Sequence, residues 1–133
     1  MRTDTVRFAG YAALFDRADA GRDTIRSGAF ARTLAERAGP VPLHWQHRAD
    51  HRIGWVEAIA EDARGLRVIA SLDRPESAAA LALRRQAVSG LSFGYRARAF
   101  RPLGRGRELI DIDLLEVSLV THPMQHAARV HLI

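Results

Sequence analysis

Cysteine is absent, so neither a disulfide nor a thiolate metal site can form in this chain. Lysine is absent too, and all twenty basic residues are arginine. No stretch approaches the ~18 consecutive apolar residues of a membrane-spanning helix. The N-terminus has no basic stretch leading into an apolar run, so no secretory signal is expected. What is present is an ordinary globular mixture: 133 residues, 47% hydrophobic and 26% charged. A disordered chain would carry fewer apolar residues, and a chain of this length buries a core without staples. The expectation is one soluble, intracellular domain over residues 1–133.

Twenty basic residues face fifteen acidic ones, leaving a formal charge of +5. Such an excess suits an acidic partner or a nucleic acid. The arginines run from Arg2 to Arg129 without a block, and only Arg84 and Arg85 are adjacent. Dispersal of that kind weakens the nucleic-acid reading, and arginine in place of lysine beside abundant alanine also fits a codon-composition habit.

Local patterning alternates between strand and helix signals. Val6 and Phe8 alternate with Thr5 and Arg7, the period of a strand. Residues 16–23 read as a polar loop. Ser27 sits where an N-cap belongs, Phe30 and Leu34 share a helical face, and Gly39-Pro40 is a stop signal, which predicts a helix over 28–38. Val41 to Trp45 is a short strand, followed by a polar loop from His47 to Arg52. Residues 53–60 and 66–72 read as a hairpin around Glu61-Asp-Ala-Arg-Gly65. Asp73, Pro75 and Glu76 form a capping-box-like start for a helix reaching about Ala87. Leu91–Phe100 alternates as a strand, 101–107 reads as a loop, Leu109–Thr121 as a long apolar strand, and 127–132 as a last short one. Short turns between neighbouring strands favour antiparallel pairing. The predicted fold is mainly β with flanking helices (α+β), a small antiparallel barrel or rolled sheet.

Two positions carry candidate chemistry. Gly90-Leu-Ser92-Phe-Gly94 matches the G-x-S-x-G elbow of α/β hydrolases, but the elbow needs a strand before it and a helix after it. Here a helix precedes and a strand follows, so the elbow is rejected. What survives is a serine between Gly90 and Gly94, whose lack of side chains lets a substrate backbone approach closely. The other reading of Ser92 is a polar residue beside a turn. Glu116 lies inside Leu114-Leu-Glu-Val-Ser-Leu-Val120, a run that reads as a buried central strand. A buried carboxylate is costly unless paired, so an arginine or a histidine must meet it. With an arginine the role is structural. With a histidine it is that of the acid that orients an imidazole for a nucleophilic serine.

Of six histidines, His44, His47 and His51 lie close together. Their spacing raises zinc, yet no cysteine and no H-E-x-x-H helix supports it, so no metal or other cofactor is expected. A single histidine acting as general base fits better. Trp45 and Trp55 flank this loop, either as core residues or as a wall of a substrate groove.

Taken in order, the segments resemble the prohead (capsid-maturation) proteases of tailed phages and of gene transfer agents. The matching features are Phe8-Ala-Gly-Tyr-Ala-Ala-Leu-Phe15, Ile25-Arg-Ser-Gly-Ala-Phe30, and Val41-Pro-Leu-His-Trp-Gln-His47 leading to Ile53-Gly-Trp55. Gly90-Leu-Ser-Phe-Gly-Tyr95 and Asp113-Leu-Leu-Glu-Val-Ser-Leu-Val-Thr121 complete the set, which spans nearly the whole chain. The resemblance implies a serine endopeptidase with a fold like herpesvirus assemblin, a β-barrel core surrounded by helices. It implies Ser92 as nucleophile, His47 as general base and Glu116 as third member, with Gly90, Gly94 and Trp45 near the substrate. Assemblin-like enzymes can use a second histidine as third member, so His44, His51 and His122 stay candidates beside Glu116. Arg48 stands where the family often has an acidic residue, and His122 where an aromatic often precedes Pro-Met. The implied substrate is the scaffolding segment of the major capsid protein, with the protease itself as a second candidate and self-association conceivable. The implied place is the bacterial cytoplasm, inside the assembling procapsid, with neither membrane nor direct nucleic-acid contact. Two other classes stay open: an inactive assembly or scaffold protein, and an Arg-rich nucleic-acid-binding β-domain.

Overall fold

The computed structural model describes residues 5–133. Its strands are β1 (Val6–Leu14), β2 (Asp23–Ile25), β3 (Val41–Trp45), β4 (Arg48–Glu61), β5 (Gly65–Leu72), β6 (Gly90–Leu103), β7 (Gly106–Val120) and β8 (Val130–Leu132), with helices α1 (Ala31–Glu36) and α2 (Ala78–Arg84). They form an eight-stranded sheet in the order β2-β7-β3-β4-β5-β1-β8, with β6 paired to β7. The sheet curls into a half-barrel, as the mainly β expectation required.

The core lies on the inner face. Phe8, Leu43, Leu66, Val68, Leu91, Val117 and Leu119 alternate inward along their strands and are fully buried. Phe30 closes one end, stacking edge-on to Phe93 with centroids 5.3 Å apart and lying 6.4 Å from Phe15. Truncating such a ring to alanine costs about 3–5 kcal/mol.

Several elements differ from the sequence expectations. The helix read over 28–38 is only Ala31–Glu36, with Phe30 rather than Ser27 at its N-cap. The Glu61 carboxylate, arriving from β4, accepts the N–H groups of Gly28 and Phe30 at 2.9 and 2.8 Å, and so holds the preceding turns. Ser77, not Asp73, caps α2, its hydroxyl accepting from the Ala80 N–H at 3.2 Å. Asp73 instead pairs with Arg52 at 2.7 Å. The helix ends at Arg84, and Gln86 is left-handed at φ 60°. Residues 101–103 and 106–107, expected in a loop, extend β6 and β7 into one long hairpin. The polar segment 48–52 is the start of β4, with register shifts beside His44 that let residues 49–51 bulge out.

Not every pairing is antiparallel. β7 is parallel to β2 at one end and to β3 at the other. β2 begins at Asp23, the last residue of the polar loop read over 16–23. This pairing is tied by Asp23, which accepts two bonds from the Arg107 guanidinium at 2.9 Å. α1 is fastened to β7 by Arg32, which reaches Asp111 at 2.9 Å and Asp113 at 2.6 Å. Arg7, Arg26, Arg52, Arg98 and Arg107 are likewise engaged by carboxylates, so much of the basic charge is spent within the fold.

Candidate active site

The outer face of the sheet carries the site. On β6 and β7, Ser92 stands directly opposite Ser118, and Gly94 opposite Glu116. Residues opposed in this way share a face, with Cβ atoms roughly 5 Å apart. On the other side of β7, the parallel strand β3 places His44 beside Ser118. Ser92, Ser118 and His44 therefore form one row across three strands, and Gly94 and Glu116 the next.

His47 enters this face from the connection between β3 and β4. Trp45 pairs with Arg48, so Gln46 and His47 are the turn, and both are left-handed, at φ 52° and 61°. This turn tips the imidazole over the end of β7. His47 Nδ1 lies 2.7 Å from Glu116 Oε1, and the His47 backbone N–H donates to Ser118 Oγ at 3.2 Å. Ser118 Oγ also donates to the second carboxylate oxygen of Glu116. Of the two partners the buried glutamate called for, the structure supplies the histidine. The Glu116 side chain is 11% exposed against 41% for His47, so the acid is sunk beneath an accessible ring. His47 Nε2 has no hydrogen-bond partner among the described residues, nor does the Ser92 hydroxyl, although Ser92 as a residue is only 4% exposed.

Gly94 makes room for the acid. A Cβ there would overlap Glu116 Oε1 and sit 3.0 Å from its carboxyl carbon. Gly90 has a different neighbour, since its Cβ would meet Pro123 at 2.7 Å and the Val120 carbonyl at 2.8 Å. Both glycines thus accommodate the protein's own groups. Trp45 packs against the hydrophobic core, and Trp55 is exposed under the guanidinium of Arg52 at 4.4 Å. Next to Gly94, the Tyr95 hydroxyl donates to Asp23 at 2.6 Å. Burial, then this bond, pushes the Tyr95 phenol up, while Arg107 holds the Asp23 carboxyl below the usual carboxylate range.

None of the other histidines is hydrogen-bonded to this cluster, although His44 lies beside Ser118. His44 Nδ1 is buried without a hydrogen-bond partner, and His51 and His122 are exposed. Among the described residues no group of three or more His, Asp or Glu side chains is placed to hold a metal ion. Among the described residues no helix is long and apolar enough to cross a membrane. Three residues of the cluster escaped the sequence reading: Ser118, Gln46 and Thr121. The strand period does place Ser118 on the face of Glu116, two residues on, but no sequence signal marks the other two.

Ser92 and the His47–Glu116 pair thus share one face of a curled β-sheet. The chain matches the Caudovirus prohead serine protease family over residues 1–133 and belongs to it. The prohead protease of Enterobacteria phage HK97 is 31% identical over 130 residues, spanning 92% of this chain and 58% of that protein. The chain therefore covers little more than half the length of this relative. Among solved structures, the varicella-zoster virus protease aligns with a TM-score of 0.67 at 19% identity, over 97% of this chain and 64% of that one. The KSHV protease in complex with a hexapeptide phosphonate inhibitor aligns at 0.66 and 12% identity, over 98% and 65%. At these identities the likeness is one of fold, and it is the assemblin-like fold expected.

Proposed function

We propose that residues 1–133 form one protease domain, a serine endopeptidase of capsid maturation. It would act inside the assembling procapsid of a phage or gene transfer agent, in the bacterial cytoplasm. Ser92 Oγ attacks the scissile carbonyl, and His47 Nε2 takes its proton and returns it to the leaving amine. Glu116 holds the imidazole with Nδ1 protonated, which leaves Nε2 as the base, and stabilises the charge the ring acquires. The observation that carries this reading is the 2.7 Å contact between His47 Nδ1 and Glu116 on the face that presents Ser92. A buried acid under an exposed imidazole with a free Nε2 is the arrangement a serine nucleophile requires.

Substrate access is consistent with an extended peptide. Among the described residues β6 pairs only with β7, apart from a bridge between Gly90 and Arg129. Beyond Ser92 its other edge offers backbone donors and acceptors to an added strand. The proposed substrate is the scaffolding segment of the major capsid protein, and the protease itself is a second one, reached by self-association. Cleavage makes assembly irreversible and clears space for DNA.

Co-expression with the neighbouring capsid protein, followed by intact-mass analysis, tests this reading. A defined N-terminal truncation is expected with the parent chain and none with Ser92→Ala or His47→Ala. Equal truncation with Ser92→Ala removes Ser92 from the nucleophile role. No truncation with any of them, in shells that contain the chain, favours an inactive assembly factor.

A further inference from the structure

The turn that carries His47 is not one its own residues prefer. A two-residue hairpin connection with both residues left-handed ordinarily uses Asn-Gly or Asp-Gly, because glycine bears no Cβ to clash there. Here the pair is Gln46-His47, at φ 52° and 61°. Backbone of this kind persists only where the surroundings over-determine it.

The surroundings are the C-terminal end of β7, to which the turn is bound by the His47 N–H on Ser118 Oγ and, more extensively, by Gln46. Its backbone N–H donates to the Leu119 carbonyl at 2.9 Å. Its carboxamide then engages a single residue with both ends. Nε2 donates to Thr121 Oγ1 at 2.7 Å, and Oε1 accepts the Thr121 backbone N–H at 3.1 Å. A carboxamide offers a donor and an acceptor together, and a carboxylate has no such donor. Thr121 lies just past the end of β7 and touches neither Ser92 nor Glu116 through any hydrogen bond. The clip is therefore separate from the His47–Glu116 contact but sets the backbone from which that contact is made.

We infer that Gln46 is a positioning residue: its carboxamide clips the β3–β4 turn to Thr121 and so fixes the left-handed backbone that lays the His47 imidazole on Glu116. The kinetic consequence rests on the proposed roles of Ser92, His47 and Glu116. The geometric consequence does not. A displacement of about 1 Å at a reacting group costs about 100-fold in rate, so loss of the clip is expected to lower reactivity about 10- to 100-fold.

Two readouts on the full chain separate these consequences. The first is the downfield NMR resonance of the His47 Nδ1–H bonded to Glu116, assigned by its loss in Glu116→Ala. The second is the second-order rate at which a fluorophosphonate probe labels Ser92. Gln46→Ala is compared with Gln46→Asn, which is too short to reach both groups of Thr121 and keeps the test alive if the alanine variant fails to fold. Thr121→Ser preserves both partners of the carboxamide. The expected result is loss or broadening of the resonance and slower labelling in the Gln46 variants, with both restored to parental values in Thr121→Ser. The inference is overturned if the Gln46 variants keep the resonance and label within about twofold of the parent. It is equally overturned if Thr121→Ser loses as much as they do. If the parent itself does not label, the nucleophile reading of Ser92 fails, and the resonance alone decides the role of Gln46.

Discussion

Placing one methyl group at position 94 tests whether the buried acid is doing what its geometry implies. Gly94 is not a left-handed glycine, so alanine fits its backbone without strain, and the effect of Gly94→Ala is purely steric. The added Cβ would lie 3.0 Å from Glu116 Cδ and 3.1 Å from Cγ and would overlap Oε1, the oxygen that meets His47. Ordinary carbon–carbon contact is about 3.5–4.0 Å, so the carboxyl must retreat by roughly 0.5–1 Å. That movement takes the 2.7 Å bond to His47 toward the length at which it ceases to be one. An imidazole without its orienting acid costs up to about 10⁴ in rate, and a 1 Å misplacement about 10², so the expected loss is about 10²–10⁴. That corresponds to about 2.7–5.4 kcal/mol of transition-state stabilisation. Overpacking costs about 1–3 kcal/mol of stability, which the thermal midpoint reports separately. The assay is the fluorophosphonate labelling rate of folded protein, alongside capsid-protein truncation. Labelling at the parental rate by a folded Gly94→Ala chain would refute the reasoning, because the acid would then have moved without consequence.

Other expectations follow from the same contacts. Ser118→Ala removes the donor to Glu116 and the acceptor for the His47 N–H, at a residue with no exposed surface. It should cost about 1–3 kcal/mol in denaturant unfolding and slow labelling about tenfold, whereas a stability loss with unchanged labelling would count against its part in holding the acid. Asp23 has a carboxyl pKa held below the usual range, chiefly by its bonds to Arg107. Its contribution is present above the unfolded-state value of about 3.9 and is lost as pH falls through the lower folded value. Asp23→Asn should therefore be less stable than the parent at neutral pH and show a shallower fall in urea midpoint below about pH 4. Parallel curves for the two would remove Asp23 from the acid-sensitive set.

Much of the fold was legible because burial writes a period into the sequence. The hairpin of β4 and β5 appeared from alternation and a polar turn, and β3 appeared as an apolar run of the right length. Misreadings cluster where a distant group took over a local role. The turns before α1 look self-capped in sequence, but Glu61 supplies the acceptor from another strand. Asp73 looks like a cap, yet Arg52 draws it away and Ser77 caps instead. β2 has no strand signal of its own and exists because β7 and Arg107 give it partners.

The site divides in the same way. A carboxylate inside an apolar strand must find a partner, and a serine flanked by glycines at the start of a strand needs no tertiary information to be noticed. Those facts follow from residue type and spacing, because desolvation cost and strand period act locally. Which partner Glu116 takes depends on the β3–β4 turn that β3 carries alongside β7, and that Gly94 clears space for it depends on the register of β6 on β7, while Ser118 braces it from two residues along the same strand. The left-handed turn at Gln46-His47 is likewise invisible in sequence. Its backbone is set by bonds to Leu119 and Thr121, more than seventy residues away along the chain, where no local preference can reach.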